Sequence, residues 1–187
     1  MPTPLRSERL LLRRWREEDR APFAALNADP VVMAHFPGAM SREDSDRLVE
    51  RIERHFDEHD VGLWAVEVPG VAPFVGFVGL AHVGFDAPFT PAVEIGWRLA
   101  RPYWGRGYAT EAAHAALDDG WARLRLDEVV AITVPANTAS RAVMERLGMR
   151  RDPAEDFDHP ELPVGHRLRR HVLYRARRPS PVNVVTR

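Results

Sequence analysis

The sequence predicts an α+β fold, a mixed twisted sheet of about seven strands flanked by helices, and three stretches carry that prediction. In the first, Val93, Ile95, Trp97 and Leu99 alternate with Glu94, Gly96 and Arg98, which is the period of a strand. Pro102 ends it, because proline has no N–H for a ladder and holds the preceding residue extended. In the second, Ala109, Ala112, Ala113, Ala116 and Leu117 fall at helical spacing, so a helix opens at Tyr108 and runs to about Leu124. The third, Val129–Val134, is a nearly continuous apolar run, the pattern of a strand buried on both faces.

The remaining elements follow in order. Glu8–Trp15 alternates as a first strand, and Glu17–Ala28 reads as a short helix with Phe23 and Leu26 inward, closed by Asp29-Pro30. Val31–Phe36 is expected to add a turn of helix before Pro37-Gly38. Ser41 caps a longer helix, with Asp44 as its capping-box partner and Leu48, Val49, Ile52 and Phe56 on the buried face. Val61–Val68 and Phe74–Phe85 are strands joined around Pro69-Gly70, and Gly76 and Gly79 mark bulges or a close backbone approach. Asp86–Pro91 is a loop. Thr138–Leu147 is a helix with Ala139, Ala142, Val143 and Met144 inward and Gly148 at its C-terminal cap. Met149–Phe157 and His166–Ala176 pair as closing strands. One domain over residues 1–178 is expected, with 179–187 as a flexible tail.

Composition narrows the function classes. A net charge of −1 sets up no overall field for nucleic acid or acidic lipid, so neither partner is expected. The 187 residues contain no apolar run long enough to span a bilayer, and Met1–Arg6 lacks the apolar core of a signal peptide. Cysteine is absent, which removes disulfides, thiolate metal sites and a cysteine nucleophile together. A soluble, cytoplasmic protein, monomer or homodimer, is the expectation.

The turn between the organising strand and its helix carries chemistry. Gly105 and Gly107 permit unusual dihedrals and close approach of a ligand. The first amides of the following helix lack intrahelical partners and, with the dipole, form an anion site. A Walker loop needs a lysine, and the chain has none. A dinucleotide fingerprint needs Gly or Ala at the position of Thr110, and it opens a βαβ fold, whereas this unit lies mid-chain behind a largely antiparallel pattern.

Trp104-Gly105-Arg106-Gly107-Tyr108-Ala109 resembles the [Q/R]xxGx[G/A] pyrophosphate loop of acyl-CoA-dependent N-acetyltransferases, the GNAT superfamily, with Trp104 where glutamine or arginine is commoner. The wider run from Glu94 to Ala112 is similar to the RimJ/RimL branch of ribosomal-protein N-terminal acetyltransferases, and Asn137 to Met149 resembles that branch's Asn-x-x-Ser…Leu-Gly-Phe/Met segment. The likeness covers Thr3 to Arg177. It implies a sheet whose fourth and fifth strands splay apart, with the thioester arm of acetyl-CoA in the gap. It also implies contacts to that cosubstrate from Trp97, Arg98, Leu99, Trp104, Gly105, Arg106, Gly107, Tyr108, Ala109, Thr110, Asn137, Ser140 and Met144. No metal is implied.

Acyl transfer to an amine needs a neutral amine, a polarised carbonyl and a proton for the departing thiolate. Glu94 is the candidate base, on the strand face shared with Gly96 and Arg98; the alternative is a solvated glutamate or one paired with Arg98. Asn137 is read either as a helix cap or as the partner of the pantetheine arm, and Ser140 either as a first-turn residue or as the group nearest the sulfur. Many family members carry an acidic tyrosine seven residues past this asparagine, where Met144 stands here, so Ser140 or a water must serve. Trp97 and Trp104 also fit as packing residues flanking the loop. His55 and His59 share a helix face, but no third ligand is evident, and a solvated helix end is the preferred reading. His82 lies either on the substrate side or in the core. The basic run His166–Arg178 reads as a strand with one charged face, the alternative being a groove for RNA or the 3′-phosphate of CoA. The acceptor, a peptide N-terminus, a free amino acid or another small amine, is expected near Met33–Met40 and Asp86–Pro91. An α-amine is favoured, because deprotonation at pH 7 costs about 1 kcal/mol at a pKa near 7.7–8.0 but about 4.6 for lysine. A silent CoA-binding or ribosome-associated module of the same fold is the rival.

Overall fold

Among the described residues nine strands form one connected sheet in the order β1 (Leu5–Arg6), β2 (Leu11–Arg13), β3 (Leu63–Val68), β4 (Ala72–His82), β5 (Val93–Leu99), β6 (Glu128–Thr133), β9 (Arg170–Arg177), β7 (Arg150–Arg151), with β8 (Phe157–Asp158) paired to β9 outside that path. The computed structural model describes residues 3–179; all but the first residue of the expected tail lies outside them. The elements are β1 (Leu5–Arg6), β2 (Leu11–Arg13), α1 (Arg20–Ala28), α2 (Arg42–His59), β3 (Leu63–Val68), β4 (Ala72–His82) and β5 (Val93–Leu99). There follow α3 (Tyr108–Ala122), β6 (Glu128–Thr133), α4 (Thr138–Arg146), β7 (Arg150–Arg151), β8 (Phe157–Asp158) and β9 (Arg170–Arg177).

Strand count exceeds the expected seven because local breaks cut strands into pieces. Only Leu11–Arg13 of the first expected strand pairs with β3, while the preceding Leu5–Arg6 folds back on it. Pro153 has no N–H to donate and starts a 3-10 turn, so the expected strand Met149–Phe157 becomes β7 and β8, both on β9. β9 itself begins at Arg170 rather than His166, and β4 ends at His82 rather than Phe85. Val31–Phe36 forms turns and no helix. The helix expected from Glu17 opens as a 3-10 turn over Glu17–Asp19 before α1.

The glycines of β4 are where expected and for the expected reason. A Cβ on Gly76 would lie 2.1 Å from the Arg98 carbonyl oxygen, and one on Gly79 would lie 2.2 Å from that of Gly62. Backbones on both sides of β4 therefore approach too closely for any side chain. Ser41 Oγ accepts from the Asp44 amide at 3.0 Å and donates to its carboxylate, and α2 buries Val49, Ile52 and Phe56; Leu48 is half-buried.

Helices pack on the sheet. Phe23 of α1 lies 4.8 Å from Trp15 and 5.9 Å from Phe77, and Phe56 of α2 lies 4.5 Å from Trp64. Ala112, Ala113, Ala116 and Leu117 of α3 are buried; these small residues let the helix sit close to β4 and β5. Beneath β2, Arg13 is 3 % exposed and holds Asp19 through two bonds of 2.7 and 2.9 Å, with Glu67 on its third nitrogen. Of the run expected to be buried, Val129, Val130, Ala131 and Val134 are, whereas Ile132 and Thr133 are half-buried.

One discontinuity positions the site. β4 and β5 pair over seven residues, whereas β5 and β6 run parallel with the single pair Glu94↔Val130. Past that pair the strands diverge, and β6 is satisfied on its other side by six pairs with β9.

Candidate active site

The divergence opens a cleft of about 2360 Å³. Its floor is β5, one wall is the start of α3, and the other is the end of β6 with α4. Of the residues singled out in the sequence, Glu94, Trp97, Arg98, Leu99, Trp104, Gly105, Gly107, Tyr108, Ala109, Thr110, Asn137, Ser140 and Met144 all line it. Arg106 does not: its side chain lies over Tyr103 and its carbonyl accepts from Arg9. Trp104 is 44 % exposed, held by its indole N–H on the Leu99 carbonyl at 2.7 Å, so it is no packing residue; Trp97 does pack against the core.

At the α3 end, Gly105 and Gly107 have φ of +71° and +81°, the left-handed region that favours glycine. Helix bonding starts with the Glu111 amide on the Gly107 carbonyl, leaving the amides of Tyr108, Ala109 and Thr110 free to face an anion. Glu111 would oppose an anion there, but Arg9 holds it at 2.6 Å and Ser7 donates to it, which keeps its carboxyl below the usual range against the opposing cost of burial. Arg9 also lies 4.9 Å from the Tyr108 ring, and so braces the turn. Sequence reasoning missed Arg9, since inside a strand pattern it is one charge among many.

At the α4 end, Asn137 caps the helix, its Oδ1 accepting from the Ser140 amide at 3.2 Å while its Nδ2 donates to Thr133 Oγ1. The cap reading is therefore correct, and the side chain still borders the cleft. Ser140 Oγ has no partner among the described residues. Met144 is 2 % exposed and offers no proton. Ala139 was expected inward but is exposed, and Ala142 and Val143 are half-buried, because this face of α4 borders the cleft rather than the core.

Between the two ends stands Glu94. Its carboxylate forms no hydrogen bond or ion pair among the described residues, and although the residue is half-buried, desolvation on the cleft floor pushes it up to about 7. Pairing with Arg98 does not occur. Arg98 turns towards the Met33–Met40 segment, where its Nη1 donates to Asn27 Oδ1 at 2.6 Å and its guanidinium lies 4.1 Å from the Phe36 ring. Burial brings it down to about 10. A carboxyl poised near neutrality in a cleft can take a proton from an ammonium.

Outside the cleft, the structure supplies the third imidazole that spacing alone did not reveal. His82 joins His55 and His59, with one ring nitrogen of each within 4.8 Å of the others. His55 Nε2 already accepts from the His82 amide at 3.2 Å and its Nδ1 faces the Val61 carbonyl, so this ring serves to tie α2 to β4. The basic run is a charged face tied down by acids: Arg175 bonds Glu128 and Glu155, and Arg170 and Arg169 bond Asp158. Among the described residues no helix is long and apolar enough to cross a membrane.

Known proteins agree with this geometry. Residues 9–150 match the family model described as acetyltransferase (GNAT) domain. The uncharacterized protein YkkB of Bacillus subtilis is 33% identical over 79% of this chain and 85% of its own. The crystal structure of an acetyltransferase from Agrobacterium tumefaciens superposes with a TM-score of 0.77 at 26% identity, covering 95% of this chain and 96% of that one. RimJ of Mycobacterium smegmatis, in complex with CoA-disulfide, shares the fold with a TM-score of 0.72 at 22% identity over 94% and 86% of the two chains. A splayed parallel pair, a glycine turn with free amides and an isolated carboxyl between them thus occur on a chain that belongs to the GNAT N-acetyltransferase family.

Proposed function

We propose that the protein transfers the acetyl group of acetyl-CoA directly to an α-amine, with Glu94 as the base. The observation that carries this reading is the unpaired Glu94 carboxyl, held at about 7 on the floor of the cleft. The free amides of Tyr108, Ala109 and Thr110 suit the pyrophosphate, and the gap between β5 and β6 suits the thioester arm. Asn137 and Ser140 border the same gap from α4.

An ammonium group entering beside Glu94 passes its proton to the carboxylate, directly or through one water. The freed nitrogen lone pair attacks the thioester carbonyl, the C–S bond breaks, and the nitrogen's second proton passes to the departing sulfur, directly or through water. The thiolate, whose parent thiol has a pKa near 8.5, leaves with little assistance, and Ser140 is the α4 residue lining the cleft that carries a hydroxyl. Without cysteine the chain has no thiol to carry the acetyl group, which argues for direct transfer.

A base near 7 matches an α-amine, which is about a tenth neutral at pH 7, and is a poor match to lysine. Two matched peptides test this, one with a free N-terminus and no lysine, the other N-terminally blocked with one lysine. The first should be acetylated; preference for the second would overturn the α-amine assignment.

A further inference from the structure

We infer that the acceptor carries a carboxylate as well as its amine, and that Arg98 binds that carboxylate. The inference rests on the acetyltransferase reading of the cleft and names the acceptor's chemistry. Arg98 lines the cleft, and its side chain lies on the side of the Met33–Met40 segment. Its Nη1 meets only the neutral Asn27 amide oxygen and the Met40 sulfur, and its Nε is buried without a partner. Among the described residues it has no carboxylate within ion-pair distance.

The buried Arg13 is held by Asp19 and Glu67, and the half-buried Arg14, Arg20, Arg151, Arg169 and Arg175 each hold at least one acid. Arg98 is half-buried too and shares its lack of an acid with Arg141, but Arg141 lies on the Tyr174 hydroxyl and the Pro135 carbonyl, whereas Arg98 keeps a covered Nε without any partner. A cation whose Nε is withdrawn from water without a partner is costly, and the cost is recovered when a ligand supplies an anion. Nor is its position an accident of loose packing. Asn27 and Ser45 are both fully buried, and Asn27 Nδ2 donates to Ser45 Oγ at 2.9 Å, which turns its Oδ1 towards Arg98. Phe36 and Phe77 flank the guanidinium at 4.1 and 5.5 Å.

Glu94 supplies the complementary half. The two residues lie four apart on one strand face, about 13 Å between Cα atoms at about 3.3 Å per residue, and they leave each other unpaired. An uncompensated acid and an uncompensated cation on one cleft floor complement a zwitterion, its ammonium at Glu94 and its carboxylate at Arg98. The phosphates of CoA do not meet this need, since the anion cradle is at the start of α3. Glu161 is a further acid bordering the cleft, and His35, His159 and His171 border it as well.

The carboxylate has two possible sources, a free amino acid or an acidic side chain near a peptide N-terminus. Steady-state acetylation of paired acceptors distinguishes them: amino acids of increasing amine-to-carboxylate spacing against their carboxamides, and N-terminal dipeptide amides with Asp against Asn in second place. The carboxylated member of at least one series should be preferred by tenfold or more in kcat/KM, chiefly through KM. Arg98→Gln should collapse that ratio towards one. Asn27→Asp, which places an internal carboxylate on the guanidinium without removing it, should do the same and stands in if the first variant fails to fold. Turnover without such a preference, or a preference that survives both substitutions, overturns the inference and leaves the acetyltransferase reading intact. Failure to acetylate any member of either series overturns both.

Discussion

Replacing Glu94 with Gln makes two measurements diverge in a way that only a buried, titrating base explains. The wild-type carboxyl sits at about 7 against an ordinary 4.5, raised by desolvation. At about 1.4 kcal/mol per pH unit this disfavours the charged form by about 3 kcal/mol, an upper bound because cleft water screens part of it. Between those two values the native state holds more protons than the unfolded state, so stability falls as pH rises from 4.5 to 7. Gln cannot ionise and escapes that loss. Urea melts should therefore coincide at pH 4 and favour Glu94→Gln by up to about 3 kcal/mol at pH 8. In the rate assay, wild-type kcat/KM should rise with pH and level off above about 7. With one α-amine acceptor in both assays, its own deprotonation is common to the two proteins, and the Glu94 inflection is read in the ratio of their profiles. Glu94→Gln should lose the inflection and about 10²–10⁴ in rate. Identical pH–rate profiles for the two proteins would refute the assignment of Glu94 as base. A stability difference independent of pH would refute its burial.

Other consequences concern the scaffold. Gly107→Val forces a β-branched residue to φ +81° beside Arg9, so it should cost at least about 1–2 kcal/mol of stability and, by calorimetry, most of the affinity for CoA; unchanged affinity would place the phosphates elsewhere. Gly76→Ala drives a methyl into the Arg98 carbonyl and should destabilise by more than about 3 kcal/mol in denaturant melts. Asp19→Ala leaves the Arg13 guanidinium buried with only Glu67 and should cost about 3–5 kcal/mol, whereas replacing both Arg13 and Asp19 by apolar residues of similar volume should recover much of it.

Where periodicity and steric logic are local, the sequence was a sufficient guide. β5 and the start of α3 lie where alternation gives way to helical spacing, and Gly76 and Gly79 mark backbone contacts that a side chain would block. Ser41 is the cap its position in the sequence suggests. Boundaries moved where a proline or an unpaired edge intervened, as at Pro153 and in Glu8–Trp15. The divergence of β5 from β6 was supplied by family resemblance, because strand-pairing length is a property of two distant segments. For the same reason the sequence could list Glu94 and Arg98 as neighbours on a strand but could not show that they avoid each other. That depends on Asn27, which stands 71 residues away from Arg98. Arg9, which neutralises Glu111 beside the anion cradle across 102 residues, was invisible on the same grounds.

Direct transfer in the cleft is tested most simply by following free thiol when the protein meets acetyl-CoA with and without an α-amine acceptor, while intact mass reports any acetyl group on the protein. Direct transfer gives thiol release only when the amine is present, one acetylated amine per thiol, and no acetylated protein formed on the way. Thiol released without an amine in step with an acetylated protein, or CoA bound with no thiol released for any amine, would contradict it.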